Sequence, residues 1–199
     1  RRWCWFAADE RLAKHLASRG PLDRVLLGAQ PVWNPANWPA IVDGKASLRA
    51  QLHRARNKGV TIARWIEADD SAADHPELRR VLGEWLATRG LPPLHFLVEP
   101  ETLGRLWDRR VYVASQGADG SAHRDVVGFL VASPIPRRNG WLVEQLIRGH
   151  DAPNGTNELL LDAAFRDLAT EGASFVTLGL SPLSRRAEVE APRQRLWLR

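Results

Sequence analysis

The sequence predicts an α/β chain, a mixed sheet with helices on its faces, and two observations predict it. From residue 60 the order reads β, α, α, β, β, β, α, β, so the middle strands follow one another as hairpins and a helix separates only the last pair. The stretch Trp141 to Ser184 then reads as strand, loop, helix, strand, the pattern of a crossover between neighbouring strands. At 199 residues and 44% hydrophobic content there is room for one good-sized core, or one and a fraction.

Taken in order, residues 3 to 8 are apolar and aromatic enough for a strand, and Asp9 can cap a helix from Glu10 to Ser18 that Arg19-Gly20-Pro21 ends. Arg24 to Leu27 is a second short strand. Gln30 to Pro39 holds three prolines, two asparagines and two tryptophans, which predicts an irregular loop. Trp33 and Trp38 go from there into a core or, less commonly, onto a membrane surface. Lys45 to Lys58 is a short basic helix with Ser47 as its cap, Leu48 and Leu52 on one face and Gly59 as its stop. Its Lys45, Arg49, Arg54, Arg56 and Lys58, with His53, have no acidic residue among them, so their field is not cancelled within the helix. A phosphate-bearing partner, nucleic acid or anionic lipid headgroup, competes there with a plain solvated face.

Val60 to Glu67 starts the strand series. Glu77 to Ala87 is an amphipathic helix with Leu78, Val81, Leu82, Trp85 and Leu86 inward, and a second helical piece lies near Glu99 to Trp107. Val111 to Ser115 and Val126 to Ala132 form strands across a polar turn.

The strand Trp141 to Ile147 ends in the charged turn Arg148-Gly149-His150-Asp151, and Asn154-Gly155-Thr156 supplies helix-capping chemistry. Leu160, Ala164 and Leu168, with Leu161 and Phe165, make an apolar stripe that Gly172 ends, and Phe175 to Leu180 reads as a buried strand. A strand feeding a loop that opens a helix can bind anions, because the first backbone N–H groups lack intrahelical partners and the macrodipole favours negative charge. The alternative is an ordinary crossover whose loop binds nothing. Alternation places Glu144 and Gln145 on opposite faces of their strand, one of them toward whatever the loop binds. A charged Glu144 there needs a function or an arginine partner.

Other chemistry loses support. The six histidines and one cysteine show no zinc spacing, so no metal site is expected, and no nucleophile elbow, Walker A loop or dinucleotide fingerprint occurs. Cys4 alone excludes an internal disulfide. No run of about 18 apolar residues could span a bilayer, so membrane contact by this stretch is expected to be peripheral. The net charge is +5, carried almost wholly by arginine, which suits carboxylate and phosphate partners. With no Met and an apolar start at Trp3-Cys4-Trp5-Phe6, the chain reads as a piece of something longer.

Val111-Tyr112-Val113-Ala114 and Val126 to Val131, followed by strand, loop and helix, resemble the acetyltransferase-like (GNAT) fold. Asp151-Ala152-Pro153-Asn154-Gly155-Thr156 with Glu158-Leu159-Leu160, Leu178 to Ser184, and the basic helix before Gly59 resemble the C-terminal domain of phosphatidylglycerol lysyltransferases (aminoacyl-phosphatidylglycerol synthases). The resemblance implies the remnant of a first GNAT-like half at 1–42, a basic joining helix at 43–59, a second GNAT-like domain at 60–184 and a polar, basic tail at 185–199. It further implies transfer of an aminoacyl group from aminoacyl-tRNA to a lipid hydroxyl at the inner face of a membrane, with no cofactor. Arg148 matches the arginine of the family's Asp-Leu-Met-Arg type motif, while Gln145 stands where the aspartate belongs, with Glu144 beside it. Arg148, Glu144 and Gln145 are then the catalytic candidates. Asn154, Gly155, Thr156 and Asn157 are substrate-binding candidates, and Lys45, Arg49, Arg54, Arg56 and Lys58 would hold tRNA or anionic phospholipid. Two alternatives stay open: an acyl-CoA-dependent N-acyltransferase, and a non-catalytic lipid- or RNA-binding module that has lost the acid.

Overall fold

The structure is a computed structural model that describes residues 5, 10–20, 25, 27–65, 75–88, 103, 106–117, 124–182 and 184. Its elements are α1 (Glu10–Ala17), β1 (Gly28–Ala29), β2 (Val32–Trp33), α2 (Trp38–Asp43), α3 (Ala46–Asn57), β3 (Val60–Trp65), α4 (Pro76–Ala87), β4 (Arg110–Gln116), β5 (Asp125–Ile135), β6 (Gly140–Arg148), α5 (Thr156–Thr170), β7 (Phe175–Thr177) and β8 (Ser181–Pro182). Contacts divide the chain into two units, Val32–Thr177 and a second made of Arg1–Pro31 with Leu178–Arg199.

The larger unit holds a six-stranded sheet in the order β2-β7-β6-β5-β4-β3. Strands β3 to β6 run antiparallel to their neighbours, and β7 pairs parallel with β6 because α5 carries the chain back across the sheet. The mixed sheet expected from the hairpin series and single crossover is therefore present. Leu159, Leu160, Ala164, Phe165 and Leu168 of α5 pack on one face with Leu52 and Ala55 of α3 and Trp38 and Val42 of α2. On the other face, Leu78, Val81 and Leu82 of α4 meet Val111, Val113, Phe129, Val131 and Ile147. Alternation along β4 and β5 feeds both clusters, so the sheet is covered on both sides. In the smaller unit α1 is described, and β1 pairs antiparallel with β8.

The far end of α5 is fixed by charge. Tyr112 donates to Asp167 at 2.8 Å, Arg64 donates to Asp167 at 3.0 Å and to Glu171 at 2.5 Å, and Arg110 reaches Glu171 at 3.3 Å. Burial alone would raise the Glu171 carboxyl, but the hydrogen bonds and charges of Arg64 and Arg110 hold it below its ordinary value. Burial first, then the bond to Asp167 and its charge, push Tyr112 well above the usual phenol range.

Several local expectations give way. The stretch from Gln30 to Pro39 is not an irregular loop: Val32 and Trp33 pair with Thr177 and Val176, a 3-10 turn spans Pro35–Asn37, and α2 begins at Trp38. Pro35 and Pro39 sit in first turns, where a missing N–H costs nothing, and Pro31 precedes the strand. Trp38 is buried and edge-on to Phe165 with ring centres 4.5 Å apart, as core packing requires. Val25 lies outside any strand, and the short pair forms instead at Gly28–Ala29. The last strand of the crossover stops at Thr177 rather than Leu180, because Gly179 turns the chain with a positive φ and leaves Leu178 and Leu180 exposed. Helix α3 starts two residues too early for Ser47 to cap it; Lys45 holds the cap position without a side-chain bond. All but Trp5 of the strand expected at 3 to 8, most of the helical piece near 99 to 107 and all of the 185–199 tail lie outside the described residues.

Candidate functional site

Strands β6 and β7 pair only from Gly140 to Leu142, and among the described residues no strand pairs with the outer edge of β6 from Val143 to Arg148. The sheet opens there, at the end that leads into the β6–α5 loop. Gly149 donates to Val127 at 2.9 Å and prolongs the β5–β6 ladder by one residue before the chain turns.

The capping chemistry expected from Asn154-Gly155-Thr156 is not used for capping. Gly155 is the cap residue, with φ +94° and no side-chain bond to the helix. The Asn154 side-chain oxygen accepts instead from Arg148 at 3.3 Å, and the Thr156 hydroxyl donates to the Pro153 carbonyl at 2.7 Å. Gly155 is required for a different reason: a Cβ there would lie 2.1 Å from the Gln51 carbonyl oxygen, so α3 presses its backbone directly on the loop. With the cap unused, the N–H groups of Asn157 and Glu158 have no acceptor in the described chain, and the Asn157 side-chain oxygen is enclosed without a hydrogen-bond partner. Arg148 and Asn154 are exposed, and beside them the first turn of α5, buried at Thr156 and half-buried at Asn157 and Glu158, adds backbone donors.

Glu144 and Gln145 do not alternate. Val131 pairs with Gln145 and Ala132 with Val143, which makes Glu144 the extra residue of a bulge. Gln145 shares the α4 face with Val131 and Ile147 and is buried. The Glu144 carboxylate comes to the same face, accepting from Ser133 at 2.5 Å and pairing with Arg109 at 3.4 Å. Arg148 follows Leu146, which packs with the α5 cluster, so the arginine serves the opposite side from Glu144 and Gln145. The arginine partner of Glu144 is therefore Arg109.

The basic helix is less uniform than its sequence. At about 100° per residue, Lys45, Arg49 and Arg56 fall on one flank of α3, and Arg54 and Lys58 on the other. Its charge is also partly answered across the helix interface. Arg49 donates to the Val42 carbonyl at 3.3 Å and to the Asp43 carbonyl, closing the end of α2. Arg56 binds the Asp162 carboxylate of α5 at 3.1 Å, and Asp162 is only 2% exposed. The same carboxylate accepts from Trp38 Nε1 and Arg166 Nε, each at 2.9 Å. Lys45, His53, Arg54 and Lys58 stay exposed with no side-chain partner among the described residues. A polar cleft of about 970 Å³ lies where Arg56 and Lys58 approach Gly149 and Asp151, bordered by Arg80 and Glu84 of α4.

Sequence reasoning missed Asp162, Arg166, Arg109 and Ser133. Asp162 and Arg166 at i, i+4 were legible as a charge pair on a helix taken only for its apolar stripe. No group of three or more potential metal ligands clusters among the described residues, and none of their helices is long and apolar enough to cross a membrane.

Among solved structures, the chain is similar to the C-terminal domain of a putative lysylphosphatidylglycerol synthetase from Agrobacterium fabrum, with a TM-score of 0.68 and 22% identity over 87% of this chain and 52% of that one. It is also similar to L-PGS from Bacillus licheniformis, with a TM-score of 0.64 and 20% identity over 83% of this chain and 48% of that one. FemX follows with a TM-score of 0.61 and 8% identity, over 94% of this chain and 63% of that one. The chain spans about half the length of the first two. These likenesses establish the acetyltransferase-like fold. No curated protein matches by sequence. The family model described as phosphatidylglycerol lysyltransferase, C-terminal, matches residues 1–199, and the chain belongs to that family.

Proposed function

We propose that the chain carries the transferase end of an enzyme that moves an aminoacyl group from aminoacyl-tRNA to a hydroxyl of a phosphatidylglycerol-like lipid, at the inner face of a membrane. The family match across residues 1–199 carries this proposal. The open edge of β6 beside a donor-rich helix start supports it. Aminoacyl-tRNA is already an activated ester, so the lipid hydroxyl can attack its carbonyl directly. The tetrahedral oxyanion collapses with loss of the ribose oxygen, which takes up the proton the hydroxyl gave. Such a step needs alignment and a stabilised oxyanion, and requires neither a cofactor nor a covalent nucleophile.

Each residue then has a task. Arg148, held near the loop by Asn154, faces the lipid phosphate or the oxyanion, and the N–H groups of Asn157 and Glu158 add donors beside it. Glu144 and Gln145 lie on the opposite face of β6 from Arg148, so they support the strand at its bulge and do not share a substrate with the arginine. Helix α3 offers its cations to the tRNA backbone.

One observation favours a second proposal. Glu144 is occupied by Arg109 and Ser133, and Gln145 is neutral, so this end of β6 presents no unpaired carboxylate. A binding module of the same fold would look like that. Incubating the intact protein with radiolabelled aminoacyl-tRNAs and phosphatidylglycerol liposomes separates the two. Label extracted into the organic phase, and abolished by ribonuclease, supports transfer. No label, together with a Gln145→Asp variant that gains none, supports the module.

A further inference from the structure

We propose that Arg56 and Arg166, both fixed on the buried Asp162, form a fork for a phosphodiester group of an RNA backbone. The two arginines come from different helices and meet on opposite oxygens of one carboxylate, Arg56 at 3.1 Å on Oδ2 and Arg166 at 2.9 Å on Oδ1. Asp162 is 2% exposed, whereas the arginine side chains are 49% and 48% exposed. One negative charge faces two positive ones, so the cluster keeps an excess of one positive charge at the surface. Each guanidinium has five N–H donors and gives only part of them to Asp162. The remaining donors have no partner among the described residues.

Anchoring on Asp162, itself locked by Trp38 Nε1, has already removed much of the rotamer freedom that a phosphate would otherwise have to freeze. Planar guanidinium groups held in place suit phosphate oxygens in a way that free lysines do not. Arg49 and Lys45 continue the same flank of α3, about 10 and 16 Å from Arg56 along the helix. A row of cations at intervals fits a polymer of phosphates. A bilayer surface would also want an apolar anchor, and none of the exposed large hydrophobic residues among the described ones lies on α3 or α5. The choice of RNA rests on the proposed use of aminoacyl-tRNA; the fork itself does not depend on any transfer step.

The test is fluorescence anisotropy of labelled, deacylated tRNA titrated with the intact protein across a salt series. Arg166→Gln should weaken binding about five- to tenfold and lower the slope of log affinity against log salt by about 1. Arg137→Gln, which removes an equal charge from the exposed turn after β5, should change binding less than twofold, about the size of a surface effect. Arg166→Lys should recover part of the loss. Thermal melts of each variant identify a purely structural role, which would lower the melting temperature without changing the salt slope. Equal effects of Arg166→Gln and Arg137→Gln, an unchanged slope, or no tRNA binding by the wild type would overturn the proposal. So would an Arg166→Gln variant impaired only toward phosphatidylglycerol vesicles. Lipid labelling measured separately on the same variant tells loss of the fork from loss of the transferase function.

Discussion

Replacing Asp162 with alanine removes a group that joins α2, α3 and α5 through polar contacts. The Trp38 Nε1–H is buried and would lose its acceptor, which costs about 1–3 kcal/mol for an unpaired buried donor. Arg56 and Arg166 are half-exposed and can turn to water, so each ion pair contributes no more than about 1 kcal/mol. The expected loss is therefore about 2–4 kcal/mol, less than for a wholly buried ion pair broken on one side. Asp162→Asn keeps an acceptor for Trp38 and gives up the charge, so it should lose about 1–2 kcal/mol. Urea unfolding followed by tryptophan fluorescence would measure both through the midpoint, with the slope unchanged. A double-mutant cycle with Trp38→Phe should return a coupling of about 1 kcal/mol or more. An alanine variant within about 0.5 kcal/mol of wild type, the usual surface value, would refute the hub.

Gly155→Ala combines a left-handed φ of +94° with a Cβ 2.1 Å from the Gln51 carbonyl, so α3 must shift. A loss of about 2–4 kcal/mol is expected, with the melting temperature as its measure. The lowered Glu171 carboxyl predicts an acid-sensitive framework: its contribution is complete above the unfolded value of 4.5 and is lost as pH falls through the lower folded value. The urea midpoint of wild type should accordingly drop more steeply below pH 4.5 than that of Glu171→Gln, and parallel curves would contradict the Arg64–Glu171–Arg110 assignment. Arg148→Ala removes an exposed side chain, so stability should change by no more than about 0.5 kcal/mol in the same urea experiment.

The fold was legible because its signals are local. Hairpin spacing, the stripe on α5 and the stops at Gly59 and Gly172, both with positive φ, can be read from neighbours in sequence. What failed depends on partners far along the chain. Val32 and Trp33 form a strand only because β7 lies beside them, so proline content alone misled. Glu144 left its expected face because β5 pairs around it, and no pattern within β6 announces a bulge. The basic helix read as unanswered because Asp162, its counter-charge, lies 106 residues from Arg56. At the loop, the residue types pointed to a helix start, but not to Arg148 capturing Asn154 ahead of the helix.

The central claim is aminoacyl transfer at the Arg148 end of β6, and one comparison tests it most directly: label moved from aminoacyl-tRNA into phosphatidylglycerol by the wild type and by Arg148→Ala at equal stability. The variant should transfer about 10²–10³-fold more slowly, the size of effect that follows loss of a donor to a developing oxyanion. Equal rates in the two proteins, or label in lipid that survives ribonuclease treatment of the donor, would contradict it.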